Sequence, residues 1–186
     1  MTHAKSLSRS ALAAAFLLLI PWVAMHFTKE ITWTLSDFVG AGGLLFGAGL
    51  TFELVVRSAT STVYRLAVGV AVAAGLFLIW GNLAVGFIGS ENHPANLLYG
   101  GVLAVSIIGT SVVGGRAREM SRVQLATALT QFLVPVIAVL IWPRVVNTDI
   151  VQVVVLNTVF GALWAGAALL FRRASATGVR PELGLG

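Results

Sequence analysis

Between Arg65 and Glu91 the chain reads LAVGVAVAAGLFLIWGNLAVGFIGS, Leu66–Ser90, 25 residues without one charged side chain. About 20 residues at 1.5 Å each cross the roughly 30 Å of hydrocarbon in a bilayer, so this run predicts a transmembrane helix. Five more windows of similar length flank it. They are Ser10–Thr28, Phe38–Val56 (interrupted at Glu53), Pro94–Gly115, Val123–Pro143 and Ile150–Phe171. Residue by residue the spans are expected at about 11–28, 37–57, 65–89, 95–115, 123–142 and 150–171. Tails 1–10 and 172–186 and five loops remain, which leaves no room for a soluble domain.

The composition of the 186-residue chain agrees. Apolar residues make up 58% and charged residues 10%, with a mean hydropathy of +0.93. A water-facing domain carries roughly 25% charged residues, so a soluble enzyme and a disordered chain are both excluded. The absence of cysteine excludes a disulfide scaffold, an iron–sulfur cluster and thiol redox work. The runs lack the alternation of a membrane β-barrel, and an open sheet cannot sit in lipid. The expected fold class is therefore all-α, an integral membrane bundle of six transmembrane helices.

Basic residues orient it. With six spans, Lys5, Arg9, Arg57, Arg65, Arg116, Arg118, Arg122, Arg172, Arg173 and Arg180 fall on one side, against Lys29 and Arg144 on the other. Positively charged loops stay inside, so both termini are expected in the cytoplasm. Trp22, Trp33 and Trp142 fall at the outer ends of spans and Tyr64 at an inner end, where amphipathic rings favour the headgroup layer. The net charge of +5 is scattered rather than clustered, so nucleic acid is not an expected partner. Lys5 and Arg9 before an apolar run also resemble a secretory signal, but no pair of small residues around Trp22–His26 offers a cleavage site. The segment reads as an anchor, and Pro21 predicts a kink in it.

Ser36-Asp37-Phe38 leading to Leu44–Gly49, and Asn82–Glu91 followed by Pro94-Ala95-Asn96, resemble a group of small uncharacterised bacterial inner-membrane proteins. The likeness is best over spans two to four. It implies a location in the bacterial inner membrane and brings no functional residue with it.

Polar side chains inside lipid are costly and mark candidate sites. Glu53 shares a helix face with Gly42 and Gly49, within about 40°. It is either neutralised by Arg57 at i+4 or a carboxylate for protons or cations. Asn82 aligns with Ala71, Gly75, Gly86 and Gly89. Gln131 lies on a face with Gln124, Thr127 and Ala138, with Pro135 near it, and Asn157 on one with Gly161, Trp164 and Ala168. Gln131 is nine residues from Arg122 and Asn157 eight from Asp149, about 13 and 12 Å from opposite sides. Both therefore sit near one depth, and spans five and six are expected to bring them together inside the bundle. As glue they hold helices; as a lining, Gln131, Asn157 and Asn82 make a path for a polar solute. The small-residue pattern Gly43/Gly47, and Ser106/Thr110/Gly114, signals close helix approach.

An outer-face set, His26, Asp37, Glu91 and His93, has the donor types of a metal site. Each also has a simpler role. Asp37 opens span two, and Asn92 or His93 caps the helix that Pro94 begins. No resident metal, haem or other cofactor is expected, since His3, His26 and His93 all lie away from mid-membrane. The chain has no HExxH, phosphate loop or GxSxG, and its halves show no inverted repeat. Two functions remain open. The first is a structural, accessory or regulatory component that meets the lipid bilayer and packs as a homo-oligomer or within a larger membrane complex. The second is a small-solute or ion transporter or channel with an amide-lined interior. No enzyme chemistry is expected.

Overall fold

In the computed structural model, residues 3–27, 32–57, 59, 61–148 and 150–177 are described; Lys29, Asp149 and Arg180, used above for orientation and depth, lie outside them. Two compact units divide the chain, Met1–Arg57 and Ser58–Gly186.

The first unit is a helical hairpin of α1 (His3–Phe27) and α2 (Leu35–Val56). Thr34 and Asp37 start α2 with a reciprocal capping box, in which the Thr34 amide donates to Asp37 Oδ2 at 2.7 Å and the Asp37 amide to Thr34 Oγ1 at 3.4 Å. Two amides that the helix itself cannot pair are thereby satisfied. A side chain at Gly42 would meet Leu18 Cδ1 at 3.2 Å, and one at Gly49 would meet Ser10 at the same distance. The face shared by Gly42, Gly49 and Glu53 is therefore the face along which α1 packs. Pro21 stays inside a continuous α1.

The second unit holds α3 (Thr62–Ala84), a 3-10 turn (Pro94–Leu97), α4 (Leu98–Val113), α5 (Ala117–Ile141), the short α6 (Pro143–Thr148) and α7 (Ile150–Thr177). Helix α7 packs along both α5 and α3, and α4 packs on α5. Leu78, Ile88, Tyr99, Val102, Val153, Phe160 and Trp164 make its core. At Gly161 a Cβ would collide with the Phe132 ring, so the missing side chain is what lets α5 and α7 close together.

The third span is shorter than its apolar run. Helix α3 stops at Ala84 and the chain turns back, with Phe87 and Ile88 only 3% and 0% exposed. Gly86 breaks the helix with φ +68°, where a Cβ would lie 2.7 Å from Ser90 O and Glu91 N. Only glycine occupies that left-handed position without strain. Elsewhere helices outrun the expected bounds. α5 begins at Ala117, six residues before Val123, and α7 continues through Arg172 and Arg173 to Thr177.

Among the described residues, six helices are long and apolar enough to cross a membrane. Their outer faces are apolar as well, with Phe16 70%, Leu140 77% and Val112 78% exposed. In water each such side chain would forgo about 25 cal/mol per Å² of burial; against lipid tails nothing is lost.

Candidate functional site: an amide seam between helices

Helices α5 and α7 run antiparallel, and two bonds fix their register. Ser121 Oγ donates to Ala168 O at 2.8 Å, and Gln131 Nε2 donates to Asn157 Oδ1 at 3.0 Å. Ten residues along α5 thus match eleven along α7. Gln131 and Asn157 are 0% and 2% exposed, so the pair sits wholly inside the protein. Asn157 Nδ2 donates onward to the Tyr99 hydroxyl at 3.0 Å and to Val153 O at 2.7 Å. One asparagine therefore joins α4, α5 and α7.

The same register brings Gln124 level with Trp164, and Thr127 level with Gly161. The side chains of Gln124, Thr127 and Trp164 are fully buried, and Thr127 Oγ1 donates to Val123 O within its own helix at 2.9 Å. Gln124 Oε1, Gln131 Oε1 and Trp164 Nε1 have no hydrogen-bond partner within the protein. An unmet buried group costs about 1–3 kcal/mol, and ordered water is its usual remedy in native proteins. The seam is thus a buried polar strip in which the Asn157 amide bonds through both its oxygen and its nitrogen, and the Gln131 amide through its nitrogen alone.

Asn82 belongs to a different arrangement. It is half-buried, and its Nδ2 donates to Asn96 O at 3.1 Å. Asn96 is itself 4% exposed and uses the whole bonding capacity of its carboxamide. Its Oδ1 accepts from the Phe87 and Ile88 amides, both at 3.0 Å, while Nδ2 donates to Ile88 O at 3.2 Å and Ser90 O at 2.8 Å. Gln152 Nε2 adds a bond to Gly86 O at 3.2 Å. Together these satisfy the backbone of a loop carried into the core. Sequence reading missed Asn96. A polar loop with two glycines, followed by Pro-X-Asn, was the available signal.

The outer-face residues each have a local task. His26 Nδ1 donates to Trp22 O at 2.9 Å, and their rings lie 4.8 Å apart. Asp37 closes the capping box of α2. Glu91 Oε1 accepts from Asn92 Nδ2 at 3.1 Å. His93 caps the 3-10 turn through Nδ1, which accepts from the Ala95 amide at 3.2 Å, and its ring meets Trp142 edge-on at 5.5 Å. Among the described residues, no three His, Asp or Glu side chains come close enough to hold a metal ion. Glu53 is half-buried on α2.

Comparison with protein-family models, curated proteins and solved structures finds no match. The six apolar helices of membrane length among the described residues fit a multi-pass α-helical membrane protein.

Proposed function

We propose that this protein is a structural, accessory or regulatory component of a bacterial inner membrane, with both termini in the cytoplasm. The observation behind this reading is how the interior amides are used. Gln131 donates to Asn157, Asn157 donates to Tyr99, and Asn82 and Asn96 hold a loop of the same chain. Such bonds contribute about 0.6–2 kcal/mol each between membrane helices and set register. They tie helices and loop of the same chain together. The protein would then act through what its outer faces meet, as a homo-oligomer or in a larger complex.

A second reading has one observation in its favour. Gln124 Oε1, Gln131 Oε1 and Trp164 Nε1 are unmet polar atoms along one seam, as the lining of a solute or ion path would have. Flux through vesicles containing the purified protein separates the two. The structural reading predicts leakage of protons, Na⁺, K⁺ and small neutral solutes no faster than from empty vesicles. A flux that Gln131→Leu or Glu53→Gln abolishes, with the fold intact, would establish transport instead.

A further inference from the structure

At one end of the second unit three separate parts of the chain meet at Tyr64. Its hydroxyl donates to Gly115 O at 2.7 Å, and its ring stacks edge-on against Phe171 at 5.1 Å. Tyr64 belongs to the start of α3, Gly115 to the α4–α5 turn and Phe171 to the last turns of α7. Each is followed in sequence by an arginine: Arg65, Arg116 and Arg172. Neighbouring Cα atoms are 3.8 Å apart, so the contacts around Tyr64 bring the three arginine backbones to the same end of the unit. All three side chains are exposed. Arg65 is steadied by two bonds to Ala59 O, from Nε at 3.2 Å and Nη2 at 2.9 Å. Arg118 adds a fourth exposed cation nearby in the chain.

Little negative charge opposes them. Among the described residues of this unit the acids are Glu91, at the other end of α3, and Glu119. Glu119 is engaged by Arg122 at 2.9 Å. The cluster therefore favours an anion. What kind follows from its surroundings. Leu66 is 57% exposed beside Arg65, Val112 is 78% exposed near the end of α4, four residues before Arg116, and Leu169 is 59% exposed one turn before Arg172. Guanidinium groups at the ends of membrane-length helices, bordered by exposed aliphatic side chains, match a ligand with a phosphate head and hydrocarbon tails.

We propose that Arg65, Arg116 and Arg172 form a binding site for the headgroup of an anionic phospholipid. The phosphate accepts hydrogen bonds from the guanidinium groups, which suit it better than an ammonium does. The acyl chains lie along Leu66, Val112 and Leu169.

The test uses the full-length protein in phosphatidylcholine nanodiscs, titrated with a fluorescent phosphatidylglycerol and with its phosphatidylcholine counterpart. Wild-type protein should prefer the anionic lipid by about tenfold or more, as several basic residues at a membrane surface imply. R116Q and R172Q should each weaken that preference by about fivefold. R144Q, at the opposite end of the helices, should leave it unchanged. Adding salt to 1 M should erase most of it. Helical circular dichroism and melting temperature identify any variant that fails to fold; for such a variant the salt titration of the wild type and the lysine substitutions R116K and R172K take its place, and these should retain binding. Equal binding of the two lipids, or full binding by folded R116Q and R172Q, overturns the proposal. Competition by inorganic phosphate at millimolar concentration also overturns it, because the site would then take a free anion.

Discussion

Gln131 donates to Asn157 across 3.0 Å, at matched depth on two antiparallel helices and out of reach of solvent. A double-mutant cycle measures what this bond contributes. Gln131→Leu should lower unfolding free energy in micelles by about 0.5–2 kcal/mol, and the coupling between the two positions should be about 0.6 kcal/mol and at most about 1.7. Asn157→Leu should cost more than Gln131→Leu, because it also removes the donor to the Tyr99 hydroxyl. Equal losses from the two substitutions would show that Tyr99 is not part of the network.

Asn96 should prove more sensitive than any residue of the seam. Asn96→Ala deletes four hydrogen bonds to a loop whose Phe87 and Ile88 side chains are buried. Stranded amides and carbonyls cost about 1–3 kcal/mol each before any rearrangement. Hydrogen exchange at the Phe87 and Ile88 amides should accelerate by at least tenfold, while exchange in the middle of α5 changes little. Unaltered exchange at those two amides would mean that the loop is held by its apolar side chains alone.

These two asparagines mark how far the sequence could be read. Asn157 was legible because depth along a helix is simple arithmetic, and an amide at mid-membrane has few options. Asn96 was not, since its role depends on the chain reversing at Gly86 and returning beneath it. Leu66–Ser90 is uniformly apolar, and hydropathy cannot distinguish a helix that continues from a loop folded into a core. Positive φ at Gly86 and Gly89 makes that difference. The outer-face histidines illustrate the opposite case. His93 was read both as a cap and as a metal donor, and its Nδ1 accepts from the Ala95 amide as a cap does. The contacts of Tyr64 with Gly115 and Phe171, each followed by an arginine, were hidden because Tyr64 reads in sequence only as an interface anchor.

The proposed topology makes a sharp demand on reporter fusions. Fusions after Ser61, Glu119 and Thr177 should report the cytoplasm, and fusions near Thr32, Asn92 and Asn147 the exterior. A C-terminal reporter active outside would refute the orientation drawn from the ten-to-two division of basic residues.

Whether the seam is packed or wet is the most direct test of the structural reading. The chain has no cysteine, so a single Thr127→Cys substitution places one thiol on the seam, at a position 0% exposed. Small water-soluble methanethiosulfonates, one cationic and one anionic, can then be applied to each side of vesicles holding the protein. A packed interior predicts no modification of the folded protein from either side, and full modification after denaturation. Rapid labelling of folded Thr127→Cys would contradict it and establish a water-filled path between α5 and α7.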